Sequence, residues 1–552
     1  MVVIKGFLTE KIFFYLLLGF AALTLFVNLG LPPLWGSEGR WAVVARTMLR
    51  SGDLFSPFIG NYYYWDKPLL SYWQILPFAY ISGGVSEFTV RLPSAAWAII
   101  MLFLTHSLAK KWFGERTALV SVGILVTSFA FVFWGRNAQV EMTNAAMILL
   151  CLWYFLKHKS DSKPAWVYVL GVMMALGANM KGPVLYAVPL FCIVLLSVIK
   201  REWSWIPSLR VLLTASLLSL TVFLAVPVIA SIHARTWLPL RWFWYENVLR
   251  FFGAYDHKNP FYAYFIEIFY FAAPWSFLLP FAMIHSSKGI RRRFSQIPEV
   301  LVLFGAIFLF FTLSGSRRSY YLLPVVPFVA ILVANALTEY ADGVLGRGMQ
   351  GILRIFGVFL GLALIALFPV SLVLPQIFHL GTDMLWPLSV LVALLGVTMI
   401  ASTMKRYVWG MVGSMAVVWL VYVVGVVPLM AKEPNLKTQI AEVNALGRPC
   451  GFLNTDDAKV IYYLDKPYQT FYEKGQALDW ATRVDGVLIT PKQFSDPSWE
   501  CVVIGDHWLA MVPRKRPLLK NNHQSRRRDR FLSGGGAHAI LMASRAPFWG
   551  TC

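Results

Sequence analysis

Long apolar runs, many close to the twenty or so residues that a helix needs to cross a bilayer, alternate along this chain with short polar stretches. They lie at 12–33, 86–109, 117–134, 140–156, 165–180, 184–199, 211–232, 261–284, 297–314, 319–337, 352–374, 385–402 and 408–430. The pattern predicts an all-α polytopic membrane protein with about thirteen transmembrane helices. The run from Ile12 to Pro32 has the length of a full span and no small-residue cleavage site, so it reads as a retained first helix. Two longer interruptions, 34–85 and 233–260, break the rhythm. In the first, Trp41, Val44, Met48 and Leu49 recur at helical spacing while Arg40, Arg46 and Arg50 fall elsewhere on the wheel. That predicts an interfacial helix lying along the membrane surface. The second, "HARTWLPLRWFWYENVLRFFGAYDHKNP", repeats the formula.

After residue 430 the hydropathy drops. A helical pattern at Leu436–Leu446 precedes the β-like runs "CGFLN", "GVLIT" and "CVVIG", which predicts a small α/β domain over 431–512. The stretch 513–552 is basic and Gly-rich, "NNHQSRRRDRFLSGGG" included, and is expected to be disordered. No internal repeat marks the inverted halves found in many secondary transporters.

Composition sharpens this picture. Of 552 residues 58% are hydrophobic and 14% charged, against about 25% charged in soluble chains, so the membrane class is fixed. The net charge of +21 points to topology rather than nucleic acid, because Lys and Arg cluster between apolar runs. Basic loops such as Lys110-Lys111…Arg116, Lys157…Lys163, Lys200-Arg201, Arg291-Arg292-Arg293 and Lys405-Arg406 are then cytoplasmic. Alternation with an odd number of spans places 34–85, the loop at Lys181, 233–260, "SGSRRS" and everything after Leu429 on the outer side. Five cysteines offer no CxxC spacing. Cys151 and Cys192 read as packing residues, and Cys450 and Cys501 pair if their module faces an oxidising compartment.

On that map the outer loops carry Glu38, Arg40, Asp53, Asp66, Lys67, Lys181, Arg241, Glu246, Arg250, Asp256, His257, Lys258, Arg317 and Arg318. Mixed charges gathered at one membrane face suit a charged lipid headgroup. The blander alternative is a set of solvated loops with internal ion pairs, Lys67 with Asp66 or Glu38 among them. "NYYYWDKPLLSYW" sets aromatic rings around Asp66-Lys67-Pro68, a surface for sugar and phosphate together. A transporter of the same lipid would bury its charges at midplane on broken helices, so the outer-loop crowding favours an enzyme.

The segments "SEGRWAVVARTMLRSGD…YYYWDKP…YW", "GRNAQVEM", "MKGP", "WYENVLRFFGAYDHKNPFYAYF…PW" and "SGSRRSYYLLPVVP" together resemble, in order and spacing, the bacterial lipid A aminoarabinose transferases. These stand within the protein O-mannosyltransferase-like branch of the glycosyltransferase-C superfamily, and the resemblance runs over roughly residues 10–335. It implies a thirteen-helix enzyme of the glycosyltransferase-C fold in the bacterial inner membrane, with surface-lying periplasmic helices, a periplasmic active site and a C-terminal periplasmic domain. It further implies inverting transfer of a sugar, such as 4-amino-4-deoxy-L-arabinose, from undecaprenyl phosphate to a lipid-borne acceptor such as lipid A. The lipid phosphate is the leaving group, so no nucleotide is expected. The expected partners are donor, acceptor and membrane lipids, with no nucleic acid and the chain a monomer. Protein O-glycosylation remains an alternative acceptor chemistry, and a non-catalytic polyprenyl-lipid binder an alternative class.

By the same resemblance Lys67 is the first choice for the donor phosphate, with Arg40, Lys181, Arg317 and Tyr321 assisting, since preplaced cations stabilise the charge that develops there. Asp66 and His257 match positions that hold a divalent metal ion in the aminoarabinose branch. The family's catalytic Asp falls on Ser37, which is no carboxylate, and its second loop Asp appears as Glu141. A hydroxyl acceptor would then need Glu38 or Glu141 as catalytic base, whereas a phosphate acceptor arrives already ionised.

Overall fold

Helix dominates the chain as far as Asn435, because apolar runs without water must satisfy their backbone groups internally. The computed structural model describes residues 2–245, 259–287, 294–378, 385–432, 435–491, 498–504 and 508–513. Glu246, Arg250, Asp256, His257, Lys258, the Arg291–Arg293 cluster and the expected disordered stretch from residue 514 onward lie outside the described residues. The chain divides into two units, Met1–Asn435 and Leu436–Cys552.

In the first unit the helices used below are α1 (Val2–Phe26), α2 (Glu38–Ser51), α3 (Glu87–Phe113), α4 (Glu115–Val126), α5 (Phe129–Gly135), α6 (Glu141–His158), α7 (Ala165–Lys181), α8 (Val184–Lys200) and α9 (Leu209–His233). The helical stretch Ser319–Ala341 is the hub. Its apolar window is 89% buried, against 17% for that of α9, so the first is clasped by protein and the second turned outward. Around it α3, α4 and α6 close one continuous apolar core.

Among the described residues six helices are long and apolar enough to cross a membrane, and seven if the bent pair α4 and α5 is one span. The difference from thirteen has local causes. Between α4 and α5, the hydroxyls of Thr127 and Ser128 donate back to the carbonyls of Gly123 and Ile124, and the axis turns by 63°. The run 261–284 breaks into Ala263–Phe271, a 3₁₀ turn Trp275–Leu278 and Leu279–Ser287, with Pro274 lacking the N–H that would continue the ladder. The pair α7 and α8, on either side of Gly182-Pro183, has 17 residues in each helix, about 25 Å.

One expectation is corrected outright. The apolar side of α2, Trp41, Val44 and Met48, is buried in protein rather than laid on lipid. An amphipathic stripe states that a face must be covered and leaves the covering material open.

The second unit is a five-stranded mixed sheet of β3 (Cys450–Leu453), β4 (Tyr468–Phe471), β5 (Val487–Thr490), β6 (Trp499–Ile504) and β7 (Leu509–Pro513), following the short hairpin β1 (Phe58–Ile59) and β2 (Tyr62–Tyr63) of the first. The order is β4-β3-β5-β7-β6, with β3 parallel to both β4 and β5, and β7 antiparallel to β5 and β6. Ala477 and Ala481, one turn apart on helix Lys474–Val484, pack under Leu453, Leu488 and Met511. The three runs read from sequence are β3, β5 and β6. The fourth and fifth strands were missed because "YQTF" and "LAMVP" are short and lie beside charged turns.

Cys450 on β3 and Cys501 on β6 are both free thiols. They stand three strands apart, about 14 Å, well beyond the roughly 7 Å between α-carbons that a disulfide spans. Denatured, unreduced protein is therefore expected to alkylate at both Cys450 and Cys501. A mass spectrum showing the two linked peptides would contradict this sheet order.

Candidate active site

The path of the loop entering α2 is set by one buried ion pair. Arg91, near the start of α3, donates from Nε to Glu38 Oε1 at 2.9 Å and from Nη2 to Oε2 at 2.6 Å. Its remaining donors reach the carbonyls of Leu29, Pro32 and Pro33 at 2.8–2.9 Å. Glu38 also accepts from the amides of Trp35 at 2.7 Å and Ala138 at 2.6 Å, and its side chain is 1% exposed. Both groups are saturated. The catalytic role expected for Glu38 is thereby corrected: four donors occupy its two oxygens and leave no lone pair for an acceptor's proton. Ser37, just before it, stands at the N-cap of α2 without a side-chain capping bond.

α2 ends where Gly52 takes φ +73° and its N–H returns to Met48 O, a geometry that glycine adopts without strain. The chain then forms the β1–β2 hairpin, which pairs Phe58 with Tyr63, and runs into Tyr64-Trp65-Asp66-Lys67. Arg40 Nη1 donates to the Tyr64 hydroxyl at 3.1 Å, with its guanidinium 5.7 Å from that ring. The hydroxyl in turn bonds Asp66. Burial first, and then Asp66, push the Tyr64 phenol up to about 12, so it stays protonated as the donor between base and acid. Lys67 lines a cleft with Trp65, Leu69, Asn179, Pro227 and Pro239, between this loop and the ends of α7 and α9.

A second charged cluster forms where α6 begins and α7 ends. Glu141, first residue of α6, pairs with Lys181, last residue of α7, and each charge sits at the helix end whose dipole favours it. The carboxylate is 4% exposed and the ammonium 19%. Lys181 Nζ lies 5.4 Å from the centre of the Tyr320 ring. The guanidinium of Arg318 lies 5.7 Å from the same ring and donates to the Tyr320 hydroxyl at 2.5 Å. Tyr321 packs on Phe311 and Tyr320.

Arg317, expected among the phosphate ligands, is used otherwise. Its Nε and Nη2 donate to Thr312 O and its Nη1 to Asn259 O, so it fastens the "SGSRRS" loop to its neighbours. Arg318 is the arginine of that loop that reaches the Glu141–Lys181 cluster. The structure thus gathers Arg40 of α2 with Asp66 of the loop that bears Lys67, and Lys181 and Glu141 with the ring of Tyr320, beside which Tyr321 packs; Glu38 serves as anchor.

Three participants escaped the sequence reading. Arg91 is a lone cation inside an apolar run, and that alone nominates it, since an unpaired charge there is costly. Arg318 could not be told from Arg317 by pattern. Glu267, on helix Ala263–Phe271, keeps one buried carboxylate oxygen without a hydrogen-bond partner. For a metal ion, Asp66 is the one expected ligand within the described residues. It faces Tyr64 and Arg40, and no group of three His, Cys, Asp or Glu gathers among the described residues. His257, the second expected ligand, lies outside the described residues, and no step below is routed through a metal ion.

Comparison with known proteins adds an independent line. Residues 66–229 match the family described as dolichyl-phosphate-mannose-protein mannosyltransferase. An uncharacterized protein of Aquifex aeolicus is 31% identical over 322 residues, 57% of this chain and 62% of its own. The undecaprenyl phosphate-alpha-4-amino-4-deoxy-L-arabinose arabinosyl transferase of Pseudomonas paraeruginosa is 30% identical over 350 residues, 60% of each. The chain thus spans about three fifths of the length of the curated relatives it matches. The structure of ArnT from Cupriavidus metallidurans bound to undecaprenyl phosphate superposes with a TM-score of 0.68 at 20% identity, over 90% of this chain and 97% of that one. The resemblance read from the sequence is borne out: the chain is similar to these transferases, and its fold is like that of the ArnT structure.

Removing one partner of the saturated pair leaves a buried charge uncompensated. R91M is expected to destabilise the protein by about 3–5 kcal/mol, read as a lowered thermal midpoint in detergent.

Proposed function

We propose that this protein is an inner-membrane glycosyltransferase. It moves a sugar, 4-amino-4-deoxy-L-arabinose, from undecaprenyl phosphate to a phosphate-bearing lipid such as lipid A, with inversion. In this reading the shorter helices complete thirteen crossings, and both the site and the 431–512 module face the periplasm. The similarity to the named arabinosyl transferases and the ArnT fold support the donor.

The observation that carries the acceptor is that Glu38 is saturated by four donors, while Glu141 is 4% exposed and held in an ion pair with Lys181, so neither carboxylate stands open to a hydroxyl. A hydroxyl acceptor needs a base with a free lone pair; a phosphate does not. An oxygen of the acceptor phosphate attacks the anomeric carbon from the face opposite the donor. The bond from that carbon to the donor phosphate oxygen breaks, its electron pair stays on that oxygen, and undecaprenyl phosphate departs. No proton has to move.

The protein's task is then electrostatic. Two monoanions about 5 Å apart repel by about 3 kcal/mol at an effective dielectric constant of about 20. Lys67, at the cleft, holds the donor phosphate and takes up its growing charge. Arg40 is held toward the same loop by Tyr64 and Asp66. The aromatic strip of Tyr63 and Trp65, stacked at 5.6 Å, offers a face for the sugar.

One observation favours a second reading. The unpartnered oxygen of Glu267 could serve a hydroxyl acceptor, on lipid or protein.

Three outcomes test these readings in detergent with undecaprenyl-phosphate-linked aminoarabinose and lipid A. K67A is expected to lower kcat by about a hundredfold or more, and failure of the wild-type protein to release undecaprenyl phosphate with any sugar donor would remove the transferase reading. E267Q is expected to leave transfer to lipid A unchanged; a loss of about a hundredfold would favour the hydroxyl reading. Transfer is expected to slow as the pH falls below about 6, where a phosphate monoester dianion takes up a proton and becomes the less nucleophilic monoanion.

A further inference from the structure

Asn179, near the end of α7, is 1% exposed, and the two ends of its amide meet different surroundings. Its Nδ2 donates to Ala175 O one turn back at 3.1 Å, and to Val222 O and Phe223 O of α9 at 3.4 and 3.2 Å. The need for that donor is written in the sequence. Pro227 lies inside α9 and has no N–H, so the carbonyl four residues earlier, that of Phe223, loses its helical partner, and Asn179 supplies one from the neighbouring helix. Three carbonyls on one side fix the amide's orientation, since an oxygen placed there would face them with no proton between. Oδ1 is therefore the end turned away from them, and among the described residues it is buried without a hydrogen-bond partner. A buried acceptor left bare is costly and calls for an explanation. Asn179 also lines the cleft that holds Lys67, together with Trp65, Pro227 and Ala230. The free volume there is about 20 Å³, room for one group the size of a water.

We infer that Asn179 Oδ1 reads the sugar of the donor, accepting a hydrogen bond from a hydroxyl or amino group that enters the cleft beside Lys67. This rests on the transferase reading and deepens it, since Lys67 holds the donor phosphate there and the sugar is the group attached to it. The fit is chemical and steric together: a bare amide oxygen asks for an O–H or N–H, and the free volume admits one such substituent but not a sugar ring. Trp65 forms one wall of the cleft and stacks on Tyr63 at 5.6 Å, so a sugar resting on that aromatic strip has its edge at the cleft mouth. One amide thus serves two ends separately. Nδ2 mends α9 at its proline, and Oδ1 meets the substrate. A water satisfies Oδ1 while the site is empty; a sugar substituent that reproduces its bond displaces it without loss, and a sugar lacking that substituent does not.

The test has to part the brace from the substrate contact. P227A returns an N–H within reach of Phe223 O and so relieves Nδ2 of its structural task. N179L keeps the branched outline and removes both polar atoms. Binding to purified full-length protein in detergent is compared between P227A and N179L/P227A. The probes are undecaprenyl phosphate without a sugar, undecaprenyl-phosphate-linked aminoarabinose, and donor analogues each lacking one hydroxyl or the amino group. The sugar-bearing donor is expected to bind N179L/P227A about tenfold more weakly than P227A, while sugar-free undecaprenyl phosphate stays within about twofold. One analogue should bind wild type about tenfold more weakly than the full donor, and bind N179L/P227A no more weakly than the full donor does. Equal weakening of both lipids, or no weakening of either, would reduce Asn179 to a brace for α9 and overturn the inference, leaving the transferase reading intact. Analogues that all bind wild type as tightly as the full donor would overturn it with no variant needed. Wild-type protein that binds neither lipid would remove the transferase reading itself, and the inference with it.

Discussion

The loops around the candidate site start from the bond between Glu38 and Arg91. A guanidinium has five N–H donors and a carboxylate about four acceptor positions, and here every one of them is matched. The net stability of such a pair against an apolar substitute is small, because desolvating both ions offsets their attraction. Its effect is on geometry. The loop after α1, the start of α2, the start of α3 and the turn before α6 are all tied to two side chains, so α2 with Arg40, and the loop beyond it with Asp66 and Lys67, begin from a fixed point. Arg136 performs a related task, donating to the carbonyls of Thr24 and Val27 at 2.6 and 2.9 Å, where α1 runs out of its own partners.

A consequence is a division of labour among charges that look equivalent in sequence. Glu38 and Arg91 annul each other in the interior. Arg317 turns to carbonyls and fixes a loop. Arg40, Lys67, Lys181 and Arg318 stay at least partly exposed, each beside an aromatic ring or an acid. In the proposed transferase both kinds are needed, since cations that are to hold a phosphate are effective only when the loops bearing them cannot drift.

The fold was legible where hydrophobic length and period decide. The apolar runs became helices, and the strands β3, β5 and β6 stand where their sequences put them. What failed is instructive in kind. The run 261–284 is apolar throughout, and no scale of hydropathy reports the interruption at Pro274. The α2 stripe was read correctly as amphipathic and wrongly as lipid-facing, because lipid and protein interior offer Met48 the same apolar surroundings. In the site, Glu141 and Lys181 were both nominated, yet their pairing across 40 positions is a matter of how α6 and α7 pack. Arg317 and Arg318 differ by one position and hence by direction. No composition or motif distinguishes them; the carbonyls of Thr312 and Asn259 do.

The length of α7 and α8 has a mechanical meaning in the thirteen-crossing arrangement. At about 25 Å each, against hydrocarbon about 30 Å thick, they are mismatched to the bilayer, which must thin or dimple to meet them. Lys181, at the tip of α7, would then stand at the floor of that depression. In the proposed transferase a lipid-linked sugar would slide in sideways at its resting depth, with no need to be hoisted out of the leaflet before it reacts.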